Sequence, residues 1–325
     1  MQHQLGTIQA DAPIHVAGHK GLVGSAVWRA LIASGHNNII GRSSSELDLR
    51  DRPAVFAFYR KIRPEYVILA AARVGGIAAN AKFPADFLSE NLQVQVNVLD
   101  AAAEVNVKRL LFLGSSCIYP KFAPQPISED SLLTGPLEPT NDAYAIAKIA
   151  GVLHVQALRR QHGCSFISAM PTNLYGPNDN FDLESAHVLP ALIRRFHEAK
   201  IAGLAEVQLW GTGSAYREFL HVDDLAQACI MLLERYDDPA PINVGCGEDM
   251  PIRDLAALVA GVVGYTGRLS WDPGKPDGTP RKLLEISRLK ALGWKPGISL
   301  QEGIVNTYRW YLSELARIGP QGKLP

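Results

Sequence analysis

Val16-Ala17-Gly18-His19-Lys20-Gly21-Leu22-Val23-Gly24 is the stretch on which the fold turns. An apolar run ends at Gly18, glycine recurs at Gly21 and Gly24, and an apolar helical pattern starts at once. Without Cβ atoms the chain can turn tightly, bring its backbone against a pyrophosphate and pack a helix closely on a strand. The helix N-terminus then offers free N–H groups to phosphate. Gly18, Lys20, Gly21, Leu22, Val23 and Gly24 are therefore the expected contacts of a dinucleotide.

On either side of this turn the chain alternates strand and helix. The pattern predicts strands at 13–17, 39–40, 66–71, 109–113 and 165–170, with helices at 21–34, 52–61, 84–104 and 143–161 between them. The first helix shows an apolar face through Leu22, Ala26, Ala30 and Ile32 and stops at Gly35; the second has Pro53 near its start. Between the fourth strand and the helix at 143–161 lies a loop, 115–143, with prolines at 120, 124, 126, 136 and 139, and a loop that long in a compact domain is usually functional. The alternation predicts an α/β protein built on a Rossmann-like, doubly wound parallel sheet. Beyond Pro171 the pattern is irregular: a polar loop at 177–185, helices at 187–200, 251–262 and 300–315, a strand at 207–210, and a Pro/Gly-rich loop at 272–280. Segments 220–235 and 242–244 read as a return to the sheet. The expected division is a dinucleotide-binding domain over 10–171, rejoined by about 219–248. A smaller, discontinuous α/β substrate-binding domain takes 172–218 and 249–325.

Composition narrows the function. The 325 residues carry 32 Lys plus Arg and 32 Asp plus Glu, which disfavours a nucleic-acid or polybasic membrane partner and favours a small-molecule site. No apolar run approaches the roughly 20 residues of a membrane span, and Met1 to Ala10 lacks the features of a signal peptide. Cys117, Cys164, Cys229 and Cys246 have no metal-site spacing, so no metal is expected and a reducing cytoplasm fits.

The end of the second strand selects the cofactor. A carboxylate there would hold the adenine ribose hydroxyl of NAD. Here the strand runs Ile40-Gly41-Arg42-Ser43 with no acid before Glu46, and Lys20 lies in the glycine loop. Two cations argue for NADP, with Asp48 as a possible acceptor for the adenine amino group. Tyr144-Ala145-Ile146-Ala147-Lys148 puts a phenol and an ammonium one helical turn apart, and the ammonium is expected to lower the phenol's pKa. Ser115 leaves the C-terminal end of the fourth strand, where open α/β sheets place their sites. Ser115, Tyr144 and Lys148 together read as a hydride-transfer triad.

The glycine loop, the serine, Tyr-x-x-x-Lys and the split architecture resemble the extended short-chain dehydrogenase/reductase family. Leu113-Gly114-Ser115-Ser116-Cys117-Ile118-Tyr119-Pro120, Pro171-Thr172-Asn173-Leu174-Tyr175-Gly176-Pro177, Arg217-Glu218-Phe219-Leu220-His221-Val222-Asp223-Asp224 and Lys275-Pro276-Asp277-Gly278-Thr279-Pro280-Arg281-Lys282 resemble its GDP-L-fucose synthase branch. That resemblance implies epimerisation of GDP-4-keto-6-deoxy-D-mannose at C3 and C5 followed by NADPH-dependent reduction at C4, in a cytoplasmic homodimer. It also implies Cys117 and His187 as the proton-transfer pair, and Tyr144, Lys148 and His187 as further cofactor contacts. Asn173, Arg195, Trp210, Arg217 and Arg281 are the expected substrate contacts. Family members carry arginine where Lys20 and Ser44 stand, which leaves more of the 2′-phosphate contact to Arg42. A 4,6-dehydratase of the same fold would carry Thr-Asp-Glu where Ser116-Cys117-Ile118 stands. A non-catalytic dinucleotide sensor would have no need of the triad.

Overall fold

The computed structural model describes residues 5–275 and 277–319. Residues 1–4, Pro276 within the last quoted block, and 320–325 at the end of the expected second domain lie outside the described residues.

The first half alternates as the hydrophobic pattern requires: β1 (Ile14–Ala17), α1 (Leu22–Ala33), β2 (Ile39–Ile40), α2 (Arg52–Ile62), β3 (Tyr66–Leu69), α3 (Ile77–Lys82), α4 (Pro84–Glu104), β4 (Arg109–Leu113), α5 (Asp142–His162) and β5 (Phe166–Pro171). The second half is more broken: β6 (Asn173–Tyr175), α6 (Val188–Ile201), β7 (Glu206–Trp210), β8 (Tyr216–His221), α7 (Val222–Arg235), β9 (Ile242–Val244), β10 (Asp249–Pro251), α8 (Ile252–Val263), β11 (Arg268–Asp272), β12 (Arg281–Lys282), α9 (Ser287–Ala291) and α10 (Leu300–Ile318). Asp51 starts α2 by accepting the Ala54 N–H, and Ser299 with Glu302 forms a reciprocal capping box at α10.

Six strands form one sheet in the order β2-β1-β3-β4-β5-β9, every pair parallel. Its strands inside the β2 edge are buried on both faces; all five residues of β4 are covered, while the two residues of β2 are half-buried. That is what helices on both sides of a parallel sheet demand, and it explains the unbroken apolar runs in the sequence. The chain leaves β1 for β2 on one side and returns to β3 on the other. The switch point therefore lies between β1 and β3, and ligands bind outside the strand C-termini there.

A second core holds Tyr175, Phe181, Phe196, Val259, Tyr265 and Tyr311 between α6, α8 and α10. Beside it, β8 pairs with β10, β12 and β6, while β7 pairs with β11. β8 pairs through Tyr216 and Arg217 with β12, and through Phe219 to His221 with β6, so it spans the junction of the two units.

Several expectations change here. Ile32 is 57% exposed, and Val27 and Leu31 turn inward beside Ala26 and Ala30. Two residues along a helix is more than half a turn, so Ile32 could not share a face with Ala30. Residues 216–221 form a strand of the second sheet, so the return to the first sheet runs through α7 and β9. Leu284, Ile286, Leu289 and Trp294 pack into the first core although the expected boundary placed them in the second domain. The short elements β6, β10, β12, α3 and α9 have too few residues to show a period.

Candidate active site

Gly18 closes the turn after β1 with φ +86°, and a Cβ there would sit 2.8 Å from Ala71 Cα, just beyond β3. A Cβ on Gly24 would sit 2.1 Å from Gly18 O, so α1 rests directly on the loop. Gly21, at the N-cap of α1, supplies no side-chain cap, leaving the first-turn N–H groups for an anion. This cradle lies at the switch point, and its shape fits the pyrophosphate of a dinucleotide. At the end of β2, Arg42 lies over the Phe58 ring at 5.7 Å and donates to Gly41 O at 2.8 Å. Lys20 is exposed in the same turn region. The first acid, Glu46, folds back onto Ser43, accepting from its N–H at 2.7 Å and its hydroxyl at 2.6 Å. Asp48 is held by Arg50, which donates to its carboxylate through Nη2 at 2.8 Å and Nε at 3.0 Å.

Ser115 follows β4 and starts a single 3-10 turn at residues 116–118, its hydroxyl accepting the Cys117 N–H at 3.2 Å. Tyr144 and Lys148 project from the first two turns of α5 toward this end of β4. Lys148 is buried, donates to Leu113 O at 2.8 Å, and lies over the Phe112 ring at 4.9 Å and the Tyr144 ring at 5.9 Å. Burial lowers its pKa to about 7. The expectation that Lys148 lowers the Tyr144 pKa is not met in this state. Burial, reinforced by the charge of Cys117, pushes the phenol upward, and the Ser115 hydroxyl opposes this only in part. The phenol is thus held neutral, which is the form a proton donor needs.

A cleft of about 310 Å³ opens beside this group and is bounded by both units. Cys117 and His187 both line it. His187 sits at the N-cap of α6 but makes no cap bond, so its ring is free to face the cleft. Enclosure by the cleft walls and then the Lys282 ammonium lower the His187 pKa. For Cys117, enclosure alone would raise the pKa, but Lys282, the Ser115 hydroxyl and Arg217 outweigh it and bring the thiol below the ordinary value. Asn173, Arg195, Trp210 and Arg217 also line the cleft, Asn173 donating to Glu218 O at 2.8 Å and Arg217 to Asp277 O at 3.2 Å.

Arg281 does not join them. Its guanidinium is about half exposed and pairs with Asp249 at 2.6 Å. Lys282, the next residue, faces inward and donates to Cys117 Sγ at 3.4 Å. Successive strand residues point to opposite faces, so only one of the two can reach the cleft. Glu138 was also missed as a site residue. It is 9% exposed, pairs with Lys121 at 3.0 Å, and lines the cleft. Its place in Glu138-Pro139-Thr140, on the proline-rich loop, was the available signal.

A glycine cradle at the switch point, with serine, tyrosine and lysine at the strand ends, defines the class of dinucleotide-dependent short-chain dehydrogenases/reductases. The chain belongs to the NAD dependent epimerase/dehydratase family, whose model matches residues 14–245. It is 60% identical over 305 residues to GDP-L-fucose synthase 1 of Arabidopsis thaliana, covering 94% of each chain. It is 50% identical over 313 residues to GDP-L-fucose synthase of Escherichia coli, covering 94% of this chain and 98% of the relative. A solved GDP-mannoheptose C4 reductase of Campylobacter jejuni, with NADP bound, superposes with TM-score 0.87 at 37% identity over 94% of this chain and 99% of the other.

Proposed function

We propose that this protein is an NADP-dependent epimerase/reductase that converts GDP-4-keto-6-deoxy-D-mannose to GDP-L-fucose. The observation that carries this reading is the opening of Cys117 and His187 onto one cleft beside Ser115, Tyr144 and Lys148. Curated relatives named GDP-L-fucose synthase at 50–60% identity support it, as does the NADP-bound C4 reductase structure.

The hydrogens on C3 and C5 flank the C4 ketone and become acidic when the enolate oxygen is stabilised. The Ser115 and Tyr144 hydroxyls donate to that oxygen. Cys117, as thiolate, removes the α-proton from one face, and His187, protonated, returns one to the other. Bound NADPH supplies the hydride for C4. Tyr144 gives its phenolic proton to the carbonyl oxygen, completing the hydroxyl, and Lys148 replenishes the phenol. Arg195 and Arg217 pair with the diphosphate, and Trp210 packs against the base or sugar.

The homodimer forms through α4 and α5. Ile146 and Leu153, 46% and 43% exposed, lie a heptad apart on the outer face of α5. Val98, Val152 and Val155 are buried within the subunit and are not part of that surface. Cytoplasmic residence agrees with four free thiols. Among the described residues no helix is long and apolar enough to cross a membrane.

The test is incubation with the keto sugar nucleotide and NADPH in heavy water, with the product read by NMR. GDP-L-fucose carrying deuterium at C3 and C5, with one NADPH oxidised per product, is the expected result. Reduction without inversion would make the protein a simple C4 reductase, and absence of turnover would leave only a dinucleotide-binding module.

A further inference from the structure

Lys282 has no part in the dinucleotide cradle or the hydride-transfer triad, yet three separate contacts fix its position. Strand β12 pairs with β8 so that Lys282 lies opposite Arg217. Immediately downstream, Leu283 O accepts the Ile127 N–H at 2.7 Å, and Leu283 N–H donates to the Gln125 side chain at 2.9 Å. Leu284 N–H then donates at 3.1 Å to Glu218, a fully buried carboxylate whose other oxygen accepts the Gly247 N–H at 2.6 Å. The short strand is thus held from both sides, and its one inward cation ends 3.4 Å from Cys117 Sγ.

We propose that Lys282 is the positioning residue that keeps Cys117 as its thiolate and so equips it as the base of the epimerisation. The inference rests on the role given to Cys117 above. An ammonium in hydrogen-bond contact with a half-buried sulfur stabilises the charged form directly, because little water intervenes to screen it. Of the groups facing Cys117 that favour the thiolate, Lys282 acts most strongly. Arg217 on β8 adds to the effect by its charge alone, its guanidinium donating to Tyr216 O at 2.7 Å and to Asp277 O rather than to the sulfur. Ser115 is neutral, and Tyr144 on α5 is held neutral by burial. His187 on α6 is itself disfavoured from protonation by Lys282. One cation therefore acts on both members of the pair in the same sense: it makes the thiol more acidic and the imidazolium a stronger acid.

Iodoacetamide alkylation of Cys117, read by peptide mass spectrometry across a pH series, tests this in the full-length protein without substrate. Cys164, Cys229 and Cys246 are all pushed upward by burial, so Cys117 should react first. In the wild type the alkylation midpoint should fall below the ordinary thiol value of about 8.5. Lys282→Met should move it upward and slow labelling at neutral pH by roughly tenfold or more, a tenfold loss for each unit of rise. Lys282→Arg should keep most of the wild-type profile. Deuterium uptake at C3 and C5 should fall with labelling in Lys282→Met. An unmoved midpoint in Lys282→Met of unchanged thermal stability would overturn the inference. So would a wild-type Cys117 that titrates as an ordinary thiol, a result that stands even if the variant does not fold. A shifted thiol profile with no turnover of the sugar nucleotide would instead sink the proposed function and leave the role of Lys282 toward the thiol intact.

Discussion

Replacing Lys148 by Met should make the protein more stable in mild acid and less stable in alkali, while abolishing reduction. Burial brings the Lys148 pKa from 10.5 to about 7. Below that lower value both folded and unfolded chains carry the ammonium, and the folded chain bears the whole cost of enclosing it. The difference between the two pKa values corresponds to roughly 4–5 kcal/mol. As pH rises through the folded-state value, the folded protein loses the proton while the unfolded chain keeps it. The unfolded state then binds more protons, so wild-type stability increases with pH until the ordinary lysine pKa is reached. Met removes that cost but leaves Leu113 O, now paired at 2.8 Å, without a donor. An orphaned buried carbonyl costs about 1–3 kcal/mol at any pH. The variant should therefore lead by about 2 kcal/mol near pH ~6 and trail by a similar amount near pH ~10. Urea unfolding of both proteins across that range measures the crossing. A variant that is less stable at every pH, by a constant margin, would refute the reasoning, because it would mean that Lys148 pays no burial cost in the folded chain.

Four further variants have outcomes set by the geometry. Gly24→Ala drives a Cβ to 2.1 Å from Gly18 O and should cost about 1–3 kcal/mol by overpacking, with a larger relative loss of NADPH affinity seen by fluorescence titration. Gly261→Ala, on the exposed side of α8 with nothing within 4 Å, is the control and should gain about 0.5–1 kcal/mol. Arg281→Ala breaks the pair with Asp249 and should lower stability by up to about 1 kcal/mol, while KM for the sugar nucleotide stays within about twofold in steady-state kinetics. Leu153→Glu puts a charge on the outer face of α5, and analytical ultracentrifugation should find monomers whose NADPH affinity is kept.

The first half of the fold was readable because its elements are long enough to show a period and are bounded by residues with clear backbone roles. The helix expected at 84–104 and the strand expected at 109–113 coincide with α4 and β4. The cradle was readable for the same local reason: its three glycines lie within seven consecutive residues, so spacing alone carried the geometry. The second sheet was not. β6, β10 and β12 have two or three residues each and exist only because β8 offers them partners. No propensity at those positions outweighs the register imposed by a strand from elsewhere in the chain.

The choice between Arg281 and Lys282 shows what this non-locality does to the chemistry. Both residues are cationic and adjacent, and the quoted block gave equal grounds for either. The side chain that reaches the thiol is selected by the pairing of β12 with β8, in which Lys282 stands opposite Arg217 and Arg281 opposite Tyr216. A slip of one residue would exchange their faces, putting the guanidinium toward Cys117 and the ammonium toward Asp249. The Glu218 carboxylate guards against that slip: Gly247 N–H anchors one oxygen independently of β12, and the other accepts Leu284 N–H, a bond made only in the observed register. Glu218 touches no reacting group, yet it decides which cation faces the thiol. Its replacement by Gln should therefore disturb the pH dependence of Cys117 alkylation in the same direction as loss of Lys282, though by less, since the strand pairing itself remains.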